Sequence, residues 1–240
     1  MKMNIIVTGA SRGIGFQLVK AFVREGHAVV AIARNEEKLN VLLSECQKEV
    51  PEARVYPLSF DLALLSKGAK DSDFLELILK AIPSVDILVN NAGLLINQPF
   101  DKLTVQDFLE TYTVNLFSIV SLIQLLLPIM GKNQLGHIVN ISSMGGVQGS
   151  GKFPGLSAYS SSKSALNCLS ECLAVELQNL NIRVNCLALG AVQTEMLAQA
   201  FPNFKAPLTA EQMAQFIAEF SLTGHRYFNG KIIPVSSSTP

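Results

Sequence analysis

Apolar residues along the chain follow two alternating patterns. Short, nearly continuous apolar runs recur, and between them lie longer segments in which apolar residues return every three or four positions. The first pattern is typical of strands buried on both faces, and the second of amphipathic helices. Strands that alternate with helices predict an α/β fold with a parallel, doubly wound sheet of about seven strands and helices on both faces.

The pattern also predicts the order of the elements. We expect strands at 4–7, 27–33, 55–60, 85–89, 136–141, 182–187 and 231–235. Ile6 and Val7 are predicted core residues of the first strand. We expect helices from residue 16 and at 36–50, 74–81, 104–130, 158–179 and 212–220. The segment 195–209 has no clear periodicity. We predict one domain over 1–240, since a chain of 240 residues suits a single α/β unit.

The composition of the chain bears on whether it binds nucleic acid or spans a membrane. The chain is 49% hydrophobic and 16% charged, and its 19 basic and 19 acidic residues give no net charge. A large core is therefore expected, whereas no basic run predicts a nucleic-acid surface. The apolar run 116–130 contains Ser118, Ser121, Gln124 and Pro128. We interpret it as too short and too polar to span a membrane.

The four cysteines have no metal-type spacing, so no metal site is predicted. Cys168 and Cys172 are one helical turn apart and are interpreted as core thiols. The N-terminus reaches a turn signal too soon for a signal peptide. Free thiols without an export signal favour the cytoplasm.

A glycine-rich turn, TGASRGIG, separates the first strand from the first helix. Gly9 would permit a tight turn, Gly13 would let the backbone approach a phosphate, and Gly15 would let helix and strand pack closely. The helix N-terminus behind the turn would attract an anion. The spacing is GxxxGxG rather than GxGxxG, and its strand–turn–helix context indicates a dinucleotide site.

Two arginines bear on which dinucleotide is bound. Arg34 follows the second strand, where a carboxylate often holds the ribose hydroxyls, and Arg12 lies inside the glycine turn. Each alone could be a solvated surface charge. Both at the expected positions favour NADP(H) over NAD(H), because neither repels a 2′-phosphate.

Three further polar positions follow strands or interrupt a helix. Asp61 after the third strand could meet an adenine amino group or cap the next helix. Asn90–Gly93 (NNAG) ends the fourth strand, where open parallel sheets bind ligands. Asn115 is a polar residue in a long apolar helix and could be a satisfied buried amide.

Tyr159 and Lys163 would lie one turn apart on the same helix face. An ammonium nearby favours a phenolate, so we expect Lys163 to lower the pKa of Tyr159. Tyr159 could then exchange a proton with an alcohol or carbonyl oxygen. Ser142 or Ser143 could hydrogen-bond the same oxygen. The tyrosine and lysine alone could also be a chance surface pair.

These motifs together, in this order, resemble the short-chain dehydrogenase/reductase family over nearly the whole chain, which implies a Rossmann fold. The resemblance implies a catalytic tetrad of Asn115, Ser143, Tyr159 and Lys163, with Ser143 chosen over Ser142. It also implies that Lys163 holds the nicotinamide ribose. The implied cofactor contacts are Gly9, Ser11, Arg12, Gly13, Ile14, Gly15, Arg34, Asp61, Leu62, Asn91, Ala92, Gly93, Tyr159, Lys163, Gly190, Val192 and Thr194.

The resemblance implies an NADP(H)-dependent oxidoreductase that interconverts a carbonyl and a secondary alcohol, either like a 3-oxoacyl reductase or as a general ketone or aldehyde reductase. The alternatives are a same-fold dehydratase or epimerase and a non-catalytic dinucleotide-binding regulator. Leu189 stands where the family usually has proline. The implied substrate lid, near 195–210, is apolar at Met196, Leu197, Phe201 and Phe204, which suggests a small or apolar substrate.

The helices 104–130 and 158–179 carry apolar residues around more than one stripe. One sheet face covers only one stripe, so a second partner is expected. The resemblance implies that these helices pair with their copies across a twofold axis. We therefore predict a homodimer or homotetramer, the alternative being deep burial within one subunit.

Overall fold

The computed structural model describes residues 2–67, 71–132 and 135–237. Strands and helices alternate along the chain as the sequence predicts. The elements are β1 (Asn4–Thr8), α1 (Gly13–Arg24), β2 (Ala28–Ala33), α2 (Glu36–Glu49), β3 (Arg54–Ser59), α3 (Asp71–Ala81), β4 (Ile87–Asn90), α4 (Val105–Tyr112), α5 (Ser118–Leu126), β5 (Gly136–Ser143), α6 (Ser157–Glu176), β6 (Ile182–Leu189), β7 (Val192–Gln193), α7 (Glu195–Ala200), β8 (Leu208–Thr209), α8 (Ala210–Thr223) and β9 (Ile232–Val235).

Seven strands form one parallel sheet in the order β3-β2-β1-β4-β5-β6-β9. The chain winds outward from β1 to β3 and then returns to build the other half from β4. This order confirms the predicted doubly wound α/β fold. It also places a switch point between β1 and β4, where sheets of this kind bind ligands at the carboxyl ends of the strands.

Helices cover both faces of the sheet, as predicted. One core lies between the sheet and α1, α2 and α8, and the other between the sheet and α3, α5 and α6. Ile6 and Val7, both fully buried, point into opposite cores, because successive strand residues face opposite sides. Burial on both faces explains why the strands are apolar runs rather than alternating ones.

The long helix predicted at 104–130 is interrupted. A wider π-helical turn, Thr113–Phe117, separates α4 from α5, and a 3₁₀ turn with Pro128 follows α5. Single π turns within α-helices are frequent at functional sites. Asn115 lies in this turn, and periodicity alone could not place the break.

By length and composition, Val105–Ile129 could span a membrane: it has 25 residues, and an 18-residue window within it has a mean hydropathy of 1.8. The helical run is thus longer than the apolar segment 116–130, so the prediction that this region is too short to span a membrane was wrong. Ile119, Leu122 and Leu126 of this run are buried in the core against the sheet. A core helix of this kind passes the same test of length and composition.

The interpretation of Cys168 and Cys172 as core thiols was wrong. Cys46 and Cys186 are buried, whereas Cys168 and Cys172 are exposed on α6. The buried face of α6 follows Leu166, Ser170 and Ala174 at four-residue spacing. Cys168 and Cys172 share the other side of the helix, so their spacing indicated a common face and not which face is buried.

The segment without clear periodicity contains a short helix, α7, and a two-residue strand, β8, which pairs in parallel with β7. Six helical residues are too few to repeat a 3.6-residue pattern, so periodicity could not reveal α7. The predicted domain 1–240 includes residues 1, 68–70, 133–134 and 238–240, which lie outside the described residues.

Candidate active site

A cavity of about 400 Å³ opens at the carboxyl ends of the strands. The segments that follow β1, β2, β3, β4 and β6, together with the end of β5, all contribute to its wall. Most of the predicted site residues line it: Gly9, Ser11, Arg12, Gly13, Ile14, Arg34, Asp61, Leu62, Asn91, Ala92, Gly93, Ser143, Tyr159, Lys163, Gly190, Val192 and Thr194. Residues far apart in sequence are thus brought to one place.

Gly15 and Asn115 are the two predicted residues that do not line the cavity. Gly15 lies beneath the glycine turn, where an added Cβ would overlap the carbonyl oxygen of Gly9. Its role in this structure is close packing of α1 under the turn. Asn115 is fully buried behind the wall formed by Gly93 and Leu94.

The glycine turn leaves donors free for an anion. Gly9 and Gly13 have φ of 69° and 56°, which side chains disfavour, and a Cβ on Gly9 would come 2.8 Å from Ala92 Cα. Arg12 precedes α1 without capping it, and the first turn of α1 contains no acidic residue. By contrast, Asn35 caps α2 through its side chain. The uncapped N–H groups of α1, beside Gly13 and Ile14 of the cavity wall, fit the phosphates of a dinucleotide.

The end of the cavity at β2 and β3 is charged and open to solvent. Arg34 is exposed and has no side-chain partner within the described residues. Arg12 forms an ion pair of 2.9 Å with Glu195 of α7. Asp61 accepts a hydrogen bond from the Ala63 N–H at 3.1 Å, as a cap of the following turn would, and it also lines the cavity. Its contact with adenine stays a prediction. We call this region the adenosine end.

The opposite end, which we call the catalytic end, is buried. Lys163 is 3% exposed, and its Nζ donates a hydrogen bond to the carbonyl oxygen of Ile141 at 2.8 Å. The same nitrogen lies 5.8 Å from the centre of the Tyr159 ring. The Tyr159 hydroxyl is hydrogen-bonded to the Ser143 side chain. The tyrosine and lysine are therefore a site pair rather than a surface pair.

Burial dominates the titration of both groups. Loss of water raises the pKa of Tyr159 to about 12, although its hydrogen bond with Ser143 acts in the opposite direction. Loss of water also lowers the pKa of Lys163 to about 8. The prediction that Lys163 lowers the pKa of Tyr159 is thus wrong for this structure. Lys163 is not among the causes of the shift, and desolvation outweighs the hydrogen bond with Ser143, so Tyr159 is protonated near neutral pH.

The two serines have different roles. Ser142 is buried and donates to the Lys163 carbonyl oxygen at 3.2 Å, which fastens α6 to β5. Ser143 faces Tyr159 and accepts from the Gly145 N–H at 3.1 Å. The geometry therefore favours Ser143 as the residue that meets a substrate oxygen.

Asn115 is a satisfied buried amide. Its Oδ1 accepts from the Leu94 N–H at 2.8 Å, and its Nδ2 donates to Leu94 O and Ser162 Oγ, each at 2.9 Å. A Cβ on Gly93 would lie 3.5 Å from Asn115 Oδ1 and 3.7 Å from Lys163 Nζ. The amide thus fixes the loop after β4 directly beside Lys163.

Sequence reasoning missed most of the apolar wall at the catalytic end. Its members come from the loops after β4 and β5 and from the helix region around Asn115: Leu94, Leu95, Val114, Met144, Phe153 and Leu156. Met196, Leu197 and Phe201 of the predicted lid also line the cavity, whereas Phe204 does not. Phe153 meets Phe201 edge to face, with ring centres 5.9 Å apart. Asn97 Nδ2 donates to the Ala200 carbonyl at 2.8 Å and ties the lid to the loop after β4.

A doubly wound sheet with a glycine turn before an uncapped helix, and with Ser143, Tyr159 and Lys163 together at the ends of the strands, is typical of dinucleotide-binding proteins. The family model for short chain dehydrogenases matches residues 3–205. The 3-oxoacyl-[acyl-carrier-protein] reductase of Chlamydia trachomatis is 30% identical over 240 residues, covering 96% of this chain and 94% of that protein.

Solved structures show the same fold. The L-sorbose reductase from Gluconobacter frateurii, complexed with NADPH and L-sorbose, has a TM-score of 0.87 at 24% identity, covering 99% of this chain and 96% of that one. The 3-ketoacyl-(acyl-carrier-protein) reductase from Brucella melitensis, complexed with NADH, has a TM-score of 0.86 at 24% identity, with 98% and 97% covered.

The chain belongs to the short-chain dehydrogenase/reductase family. It is therefore an NAD(P)-dependent oxidoreductase that acts on CH–OH or carbonyl groups of small molecules.

Proposed function

We propose that this enzyme uses NADP(H) and reduces the carbonyl of an uncharged, mainly apolar substrate. The observation that carries the substrate class is the apolar wall facing Tyr159 and Ser143, which includes Leu94, Met144 and Phe153. A charged group there would lose water without gaining a partner. Arg12 and Arg34 at the adenosine end support the choice of NADP(H).

The bound nicotinamide would supply the hydride that the carbonyl carbon receives. Tyr159 gives its hydroxyl proton to the carbonyl oxygen, because its raised pKa keeps it protonated in neutral solution. Ser143 holds the same oxygen. Lys163, charged below a pKa of about 8, stabilises the negative charge left on Tyr159. Asn115 keeps the loop after β4 in place beside Lys163.

The substrate proposal is tested by a scan of carbonyl compounds while NADPH absorbance is followed. The panel contains apolar ketones, aldehydes, 3-oxoacyl thioesters and anionic 2-oxo acids. We expect kcat/KM to be higher for neutral apolar ketones than for the 2-oxo acids, and the reverse order contradicts the proposed substrate class. If the enzyme reduces none of these compounds with NADPH and oxidises none of the corresponding alcohols with NADP⁺, the result favours the alternative of a non-catalytic dinucleotide-binding regulator.

We also propose that the enzyme is located in the cytoplasm and that it forms a homo-oligomer. Val105, Leu109 and Phe117 on the α4–α5 run are 77%, 51% and 44% exposed, and Val175 on α6 is 75% exposed. These exposed side chains contradict the alternative explanation, in which both helices are deeply buried within one subunit. An exposed apolar face on adjoining helices supports an isologous contact with a second copy.

Sedimentation at micromolar concentration tests the assembly. We expect Leu109→Glu to release monomers, while Val41→Glu, at a 54% exposed position on α2, leaves the assembly unchanged. A single wild-type species near the chain mass of 26.0 kDa contradicts the proposal.

A further inference from the structure

The ion pair between Arg12 and Glu195 separates two spaces. Both residues line the main cavity, and both also line a smaller outer recess. The far wall of that recess is formed by Phe16 of α1 and by Lys38 and Val41 of α2. The pair therefore stands where the adenosine end of the cavity meets the recess.

The charges around this boundary are unequal in sign. Arg12, Arg34 and Lys38 are cations, and the acidic side chains are Glu195, which lines both spaces, and Asp61, which lines the main cavity. A 2′-phosphate carries close to two negative charges near neutral pH, so it is attracted by the cations and repelled by the carboxylates. Glu195 thus subtracts from the attraction that the two arginines predict.

Glu195 is held near Arg12 by its position in the fold. It is the first residue of α7, which Thr194 caps by accepting from the Leu197 N–H at 3.2 Å. The Arg12 and Glu195 side chains are 46% and 54% exposed, so solvent screens the pair and keeps it weak. A dianion that binds Arg12 must therefore first displace Glu195 from it, and this competition weakens binding of the dianion.

We propose that Glu195 determines cofactor specificity by holding Arg12, and that it thereby weakens the preference for the 2′-phosphorylated dinucleotide. This inference rests on the proposed use of NADP(H), since it needs the 2′-phosphate to lie within reach of Arg12. It assigns to a lid residue a function at the adenosine end, at the opposite side of the cavity from Tyr159.

The test is a set of dissociation constants measured by calorimetry for NADPH, NADH, adenosine 2′,5′-bisphosphate and 5′-AMP. We expect Glu195→Gln to tighten binding of NADPH and of the bisphosphate about three- to fivefold, the range of an exposed ion pair. Binding of NADH and 5′-AMP should change by less than about twofold. Glu211→Gln removes the same charge from an exposed residue next to Arg24 and should change none of the four.

The double variant Arg12→Gln/Glu195→Gln identifies the route. If Glu195 acts by occupying Arg12, adding Glu195→Gln to Arg12→Gln changes bisphosphate binding by less than about twofold. The inference is overturned if Glu195→Gln tightens bisphosphate binding as much in the Arg12→Gln background as in the wild type. It is also overturned if the single variant Glu195→Gln binds the bisphosphate more weakly than the wild type. An unchanged bisphosphate affinity overturns it as well.

The two proposals fail separately. Equal wild-type affinities for NADPH and NADH contradict the proposed cofactor preference. A preference that appears only in Glu195→Gln would still support the specificity role. A strong wild-type preference that Glu195→Gln leaves unchanged removes that role and keeps NADP(H).

Discussion

The catalytic end and the adenosine end of the cavity hold their charged side chains differently. Lys163 is buried and fixed by a hydrogen bond to Ile141, whereas Arg34 is exposed and has no side-chain partner in the described part of the chain. Buried charges interact strongly because little water screens them, and exposed charges interact weakly. Substitutions at the catalytic end should therefore lower turnover strongly, whereas those at the adenosine end should change only the preference between NADPH and NADH.

The largest effect is expected for Tyr159→Phe. The variant lacks the hydroxyl that donates the proton and should lose about 10²–10⁴-fold in turnover. NADPH affinity, measured by fluorescence quenching, should stay close to wild type. Tyr112→Phe, outside the cavity-lining set, is the matched control. Near-normal turnover in Tyr159→Phe would remove Tyr159 from the chemistry.

The pH dependence of reduction tests the buried lysine. Because burial lowers the Lys163 pKa to about 8, the charge that stabilises the Tyr159 phenolate is present below that pH and lost above it. The rate should fall about tenfold for each pH unit well above the pKa. Ser143→Ala should turn over more slowly but keep the same alkaline limb. A rate that stays flat to pH 10 contradicts this role of Lys163.

Gly15→Ala tests the rigidity of the glycine turn, which adjoins both ends. The added methyl would overlap the Gly9 carbonyl and should displace the turn. Overpacking of this kind costs about 1–3 kcal/mol. We expect weaker binding of both NADPH and NADH, together with a lower Tm. Gly151→Ala, which meets nothing within 4 Å, is the control. Unchanged affinities would show that the glycine turn can accommodate the added methyl group with little loss of free energy.

The smallest effect is expected at the adenosine end. Arg34→Asp should lower the ratio of NADPH to NADH affinity about tenfold, the low end for a charged hydrogen bond, because Arg34 is exposed. Lys48→Asp makes the same charge change in the last turn of α2 and should leave the ratio unchanged. A ratio unaffected by Arg34→Asp would exclude Arg34 from the 2′-phosphate site.

The sequence predicted elements and motifs well where local patterns determine them. Buried strands are apolar runs, and the glycine turn follows β1 directly. Packing determined what local patterns could not. The exposed side of α6 at Cys168, the π turn at Asn115 and the raised pKa of Tyr159 all depend on neighbours distant in sequence. Glu195 was missed because its partner, Arg12, lies 183 positions away.

The short parallel pair of β7 and β8 affects how this enzyme can evolve. Val192 pairs with Leu208 and Gln193 with Thr209, and the Gln193 side chain accepts from the Ala206 N–H at 3.0 Å. The two ends of the intervening segment are thus pinned side by side, while its middle borders the apolar wall. Residues 194–207 therefore leave and rejoin the scaffold at neighbouring points, an arrangement in which loops tolerate changes of length.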